Sequence, residues 1–180
     1  MKFTMTFYGP FHIGTGTAAP GRDQSVDPEC LLPESSLKGL MRDAAVQLGV
    51  QTSLINTIFG SQDAQSAAWA WSTPEYFTPP IVEPLSRIKI NAATGSTDPG
   101  ALSVADVVWA STANFEIEPN AWLSDHDRAM HERVLVLAAR GVRSLGAYRN
   151  RGYGWVSIEA VNQPPGLFGP SDVASILGET

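Results

Sequence analysis

The sequence predicts an α+β domain. Three observations predict it: alternating apolar patterns near both ends, one clean helical periodicity around residue 40, and a second helical stripe around residue 135. A chain of 180 residues is long enough to bury a sizeable core in one domain, read here as residues 1–180.

Taken in order, residues 2–8 place Phe3, Met5 and Phe7 on one face of a strand, which Gly9 and Pro10 end or kink. Residues 11–34 are a long loop rich in Gly, Pro, Ser and Asp, and loops of this length in compact domains are often functional. Over residues 36–48, Leu37, Leu40, Met41, Ala44, Ala45 and Leu48 follow the helical spacing, with Ser35 or Ser36 as the cap and Gly49 at the end. Ile58-Phe59-Gly60-Ser61 suggests a turn after a short helix, and Ala68–Trp71 suits a strand. Prolines 79, 80 and 84 mark an irregular, extended path. Strand patterns follow at Arg87–Asn91, Leu102–Trp109 and Asn114–Glu118, with a turn or hairpin tip over 94–100. Ser124 and Asp127 resemble a helix cap, Met130, Val134, Leu137 and Ala138 continue the helix to Gly141, and Trp155–Val161 alternates as a last strand. The order is β-α-β-β-α-β, the ferredoxin-like arrangement. The tail after Asn162, with Pro164-Pro165, is expected on the surface or on a neighbour.

Composition narrows the class. No apolar run reaches membrane-spanning length, and the single cysteine, Cys30, excludes an internal disulfide, so a soluble cytoplasmic protein without a membrane partner is expected. No Cys/His spacing suggests a zinc site. The net charge of −6 argues against nucleic-acid binding by the whole surface. Charge is unevenly placed, however: between Arg133 and Ile158 there are five arginines (133, 140, 143, 149 and 151) and no acid, and Lys38 with Arg42 forms a smaller basic group. A local basic groove and a solvated helix face both fit that distribution.

Three segments could carry chemistry. In SLGAYRNRGYGW (144–155), Tyr148, Arg149, Arg151 and Tyr153 offer stacking and phosphate contacts, and the glycines let a backbone approach closely; a tight turn with exposed arginines is the alternative. In PESSLKGLMR (33–42), Ser35 and Ser36 at a helix start, with Lys38 one turn in, make an anion site or an ordinary capped helix. The loop HIGTGTAAPGRDQSVDPE (12–29) is neither a phosphate-cradling Walker loop nor a dinucleotide fingerprint. Its Asp23 and Asp27 could hold a divalent cation through water or orient a hydroxyl, or could cap turns. His12, His126 and His131 are scattered, and none pairs with a serine or cysteine as a catalytic set.

Together, HIGTGT, LLPESSLKGLMRDAA, the region RIKINAATGSTDPGALSVADVVWASTANFEIE and LGAYRNRGYGWVSIE resemble, in order, the motifs of the RAMP superfamily of CRISPR-associated proteins. The likeness is to the repeated, target-RNA-cleaving backbone subunits of type III effector complexes, and it spans most of residues 3–160. It implies a modified ferredoxin-like, RRM-like core with a thumb-like hairpin at about 86–118 that wedges between guide–target base pairs. It also implies that Lys38, Arg42 and the 144–154 loop, with Arg143, contact CRISPR guide RNA. The partners implied are guide RNA, target RNA, copies of the chain itself and other effector subunits. Of the two candidate catalytic carboxylates, the family's GxD…D spacing favours Asp23, with Mg or Mn, and leaves Asp27 structural. PESS in place of the family's PGSS, and a compressed segment before it, leave a binding-only subunit open. A CRISPR-repeat-processing endoribonuclease, with His12 as base, is a third reading.

Overall fold

The computed structural model describes residues 1–61, 67–98, 100–161 and 176–177; the tail with Pro164-Pro165 lies outside them. It is a mixed α+β structure built on antiparallel sheets. The elements are β1 (Lys2–Phe7), α1 (Glu34–Gln47), α2 (Thr52–Phe59), β2 (Trp69–Trp71), β3 (Glu75–Tyr76), β4 (Ile81–Arg87), β5 (Ser103–Trp109), β6 (Thr112–Pro119), α3 (Asp125–Gly141) and β7 (Val156–Ala160).

β1 is the centre of the main sheet, whose order is β2-β6-β1-β7, with β3 also on β6. Its alternation makes this possible. Phe3, Met5 and Phe7 are buried, while Thr4 and Thr6 face the other side. Phe3 sits opposite Phe115 in register, and the two rings stack at 5.2 Å. On the far side of β1, Met5 pairs with Ile158 and Phe7 with Val156. α1 and α3 pack on the apolar face of this sheet, where Leu37, Met41, Ala44 and Ala45 of α1 meet Val134, Leu135, Ala138 and Ala139 of α3. The opposite face is polar: Thr4 donates to Asn114 at 2.9 Å, and Lys2 pairs with Glu116 at 2.9 Å.

The ends of α1 differ from expectation at one end only. Pro33, extended at φ −61° and ψ 142°, takes the N-cap position, and its carbonyl accepts from Ser36 and Leu37. Ser35 and Ser36 therefore lie inside the first turn and do not cap it. At the other end Gly49 adopts φ 78°, with Gly49 N–H on the Val46 carbonyl and Val50 N–H on that of Ala45, the paired bonds that close a helix on a left-handed glycine. Ser124 caps α3 through the Asp127 N–H at 3.1 Å, as the sequence predicts.

β4 and β5 form a separate two-stranded hairpin whose tip contains residues 94–98. It begins at Ile81, earlier than the expected 86, and β6 leaves it to join the main sheet. Pro84 reads as a breaker but sits opposite Asp106 on an edge strand, where its missing N–H costs no ladder bond.

One core hydrogen bond titrates. Trp69 Nε1–H donates to His131 Nδ1 at 3.1 Å, and His131 is 4% exposed. Burial holds the His131 imidazole below its usual pKa, opposed by the nearby Asp127 charge. The unfolded chain therefore binds the extra proton first, and stability present above pH 6.5 is lost as pH falls toward the depressed value. Urea denaturation should show stability declining below pH 6.5, and His131→Gln, which keeps an acceptor for Trp69, should flatten that decline. An identical pH profile in the variant would remove His131 as its source.

Candidate functional site

The loop leaving β1 and the glycine-rich loop before β7 are clamped together by backbone. Gly154 N–H donates to the Pro10 carbonyl at 2.8 Å, and Ala147 N–H to the His12 carbonyl at 2.8 Å. Gly146 and Gly154 have φ of 74° and 71°, and a Cβ at either would run into the backbone of His12 or Leu145. Between these glycines Tyr148 is left-handed (φ 63°, ψ 21°), the one non-glycine with positive φ among the described residues. That conformation costs about 1 kcal/mol and persists only where the surroundings impose it.

The surroundings are specific. The Tyr148 hydroxyl donates to the Gln24 side-chain oxygen. The Arg87 guanidinium lies 3.6 Å above the Tyr148 ring centre, His12 is tilted beside it at 5.7 Å, and Tyr153 meets it edge-on at 6.1 Å. The half-buried Tyr148 and Tyr153 thus pack against the protein. Arg149 and Arg151, in a short 3-10 turn that Tyr148 begins, are exposed.

The loop with the two aspartates lies along β5. Asp23 N–H donates to the Val104 carbonyl, and Val104 N–H returns a bond to the Asp23 carboxylate, both at 2.8 Å. Asp23 is exposed. Asp27 accepts from the Glu29 N–H at 3.0 Å, a local turn. Sequence reasoning missed Asp106, Arg22, Gln24 and Arg87. Asp106 is 3% exposed, and Arg22 Nε lies 2.9 Å from its Oδ1, a charge contact off the hydrogen-bond direction. A lone acid in the apolar run SVADVVW was the available signal. His12, 2% exposed, donates from Nδ1 to the Asp106 carbonyl at 2.6 Å, and its Nε2 edge lies close against Gly14. Buried this way, His12 packs and does not present a base to solvent.

α1 divides the remaining expected residues. Ser36 shares a cavity of about 430 Å³ with Ile13, Gly39, Asp43 and Arg149. A smaller adjoining cavity of about 140 Å³ adds exposed Arg143. Ser35 and Lys38 line a different cavity with Trp69 and Trp71, and the Lys38 ammonium lies 5.6 Å over the Trp71 ring. Arg42 is exposed, with Asn56 Oδ1 of α2 3.4 Å from its guanidinium. The structure therefore unites Ser36, Arg143 and Arg149, and sets Ser35, Lys38 and Arg42 on the other flank of the helix.

Among the described residues no three His, Cys, Asp or Glu side chains converge on a metal position. An exposed carboxylate fixed by one N–H, as Asp23 is, keeps lone pairs available. It fits the mode in which Mg or Mn retains its waters and is shared with substrate phosphates. The open sheet face suits an anion poorly, because Glu75, Glu116 and Glu118 line its cavity of about 350 Å³.

The structure is thus an α+β fold whose glycine-rich, arginine-bearing loop is clamped to the loop after its first strand. The RAMP superfamily model matches residues 4–157, and the chain belongs to the RAMP superfamily. Among solved structures, the fold is similar to a chain of the cryo-EM structure of Type III-B Cmr-beta bound to cognate target RNA. There the TM-score is 0.71 at 11% identity, over 88% of this chain and 95% of that one. A chain of apo Type III-B Cmr-beta matches at TM-score 0.71 and 12% identity, over 93% and 98% of the two chains. Among curated proteins, no sequence matches. No helix among the described residues is long and apolar enough to cross a membrane.

The clamp makes a sharp prediction. Gly152, at φ 83°, has open space where a Cβ would go, whereas Gly154 does not. Gly152→Ala should cost about 1 kcal/mol, a few degrees in Tm. Gly154→Ala should cost clearly more and release the loop, read by thermal denaturation and limited proteolysis at 144–154. Equal losses in the two variants would contradict the close approach.

Proposed function

We propose that this chain is a guide-RNA-binding backbone subunit of a type III CRISPR ribonucleoprotein effector, and that it cleaves bound target RNA with a divalent metal. The observation that carries the reading is the fold shared, over nearly all of both chains, with Type III-B Cmr-beta bound to cognate target RNA. The strand order β2-β6-β1-β7, with α1 after β1 and α3 before β7, supports a modified ferredoxin-like, RRM-like core. The β4–β5 hairpin, outside the main sheet, supports a thumb that wedges between guide–target base pairs. The partners are guide RNA, target RNA, further copies of the chain and other effector subunits.

Guide RNA lies along the cavities that Arg149 and Arg143 share with α1, with Arg151 beside them and Lys38 and Arg42 reaching RNA on the helix's other flank. Cleavage is attack by the target's own 2′-hydroxyl on the adjacent phosphate: the 2′-O–P bond forms and the P–O5′ bond breaks. Asp23 accepts or orients the 2′-hydroxyl proton, and the 5′-oxygen takes a proton from water. Exposed arginines offset charge on the phosphate. Asp23 is the residue that would hold Mg or Mn, and such an ion would supply charge stabilisation of the phosphoryl oxygens.

A second reading, a purely structural RNA-binding subunit, is favoured by the hydrogen bond that already occupies the Asp23 carboxylate at Val104. Asp23→Asn separates the two, because the amide oxygen can still accept from Val104 while the charge is gone. In the assembled complex with complementary RNA and Mg or Mn, Asp23→Asn should bind target within about twofold and cleave at least a hundredfold more slowly. Wild-type cleavage in that variant would leave the structural reading standing.

The arginine turn has its own test. Joint Arg149→Ala and Arg151→Ala replacement should weaken guide binding and reduce the slope of log K against log salt by about 1.4, the single-strand value for two phosphate contacts. An unchanged salt slope would remove these arginines from the RNA path.

A further inference from the structure

Three consecutive residues tie three parts of the molecule together. Arg22 lies on Asp106, Asp23 on Val104, and Gln24 under the hydroxyl of Tyr148. Backbone bonds knit the same segment to the start of β5, since Asp23 N–H donates to Val104 and Asp106 N–H to the Gln24 carbonyl at 3.0 Å. Arg22 and Asp23 therefore belong to the hairpin side, and Gln24 alone of the three reaches the glycine-rich loop through its side chain.

Tyr148 closes the connection from that loop. Its carbonyl accepts from Arg151 N–H at 2.8 Å and so begins the turn carrying Arg149 and Arg151. Its hydroxyl holds Gln24, next in sequence to Asp23. Its ring carries Arg87, the last residue of β4. One side chain, in a backbone conformation that tyrosine adopts only under constraint, touches the arginine turn, the aspartate segment and the hairpin base.

We propose that Tyr148 is a positioning residue that sets Asp23 and the hairpin base at a fixed separation from the arginine turn. The proposal rests on the reading of Asp23 as the cleaving carboxylate. Tyr148 contributes no atom to the reaction, and the Arg87 guanidinium covers one face of its ring. RNA seated on Arg149 and Arg151 is thereby coupled mechanically to the carboxylate.

Tyr148→Phe removes the bond to Gln24 and keeps the ring under Arg87; Gln24→Leu removes the same bond from the other side. In the assembled complex, both variants should bind guide within about twofold and cleave saturating target about tenfold more slowly in single turnover, with the amplitude unchanged. The double variant should be no slower than the slower single one. A merely structural role would lower the amplitude and the Tm instead, and would overturn the proposal. So would wild-type rates in Tyr148→Phe, or a loss of guide affinity matching the loss of cleavage, which would make Tyr148 an RNA contact. Amide exchange over 103–107 gives a readout independent of cleavage: it should rise in Tyr148→Phe, and unchanged exchange would refute the coupling. If Asp23→Asn cleaves normally, the functional reading fails, and the exchange result alone decides whether Tyr148 holds the segment.

Discussion

The backbone carbonyls of Pro10 and His12 hold the candidate site together. They accept N–H groups from Gly154 and Ala147, and by doing so they press a loop near the end of the described chain against one near its start. A side chain at Gly146 or Gly154 would prevent the approach. From that contact the rest follows. Tyr148 reaches Gln24, Arg149 turns into the cavity beside Ser36, and β7 starts in register with Phe7 of β1. The loop is therefore a structural joint, whatever else it does.

Electrostatics then restrict where an anionic ligand can lie. The chain is acidic overall, and Glu75, Glu116 and Glu118 line the open sheet face, which disfavours an anionic ligand there. The arginines at 143, 149 and 151 are exposed around the loop, and Asp43 lines the same cavities as Arg149. A groove with cations and one acid favours a ligand whose phosphates keep to a defined path over one that coats the surface. The Lys38 ammonium rests over the Trp71 ring, a cation–π contact.

Much of this was legible in the sequence for physical reasons. α1 has the full i, i+3, i+4, i+7 stripe, the Ser124–Asp127 cap has its own local signature, and β1 and β7 alternate cleanly, so these elements announce themselves without tertiary help. The motifs that resemble the RAMP superfamily lie in these same local segments. What was not legible depends on distant partners. Pro33 displaced the serines as cap because the helix begins at Glu34, two residues earlier than the serine hydroxyls suggest. Pro84 hid the start of β4, since only an unpaired edge makes a strand proline harmless. Nothing local to Tyr148 reveals that Arg87, some sixty positions earlier, lies over one face of its ring. Asp106 and Arg22 are unremarkable until the fold brings them within 2.9 Å.

The place of β1 has a consequence for how the protein forms. Its partners are residues 112–116 on one side and 156–160 on the other, so the central strand of the main sheet has no neighbour until most of the chain exists. Long-range pairing of this kind makes loop closure a large share of the folding barrier and slows folding relative to helical proteins of the same size. During synthesis, Phe3, Met5 and Phe7 wait unpaired while α1, α2 and the β4–β5 hairpin, whose contacts are local, emerge first. A fragment ending before the arginine turn at 149–151 also lacks β7 and leaves one edge of β1 open. Completion of the sheet and completion of the candidate site are thus one event in the life of the chain.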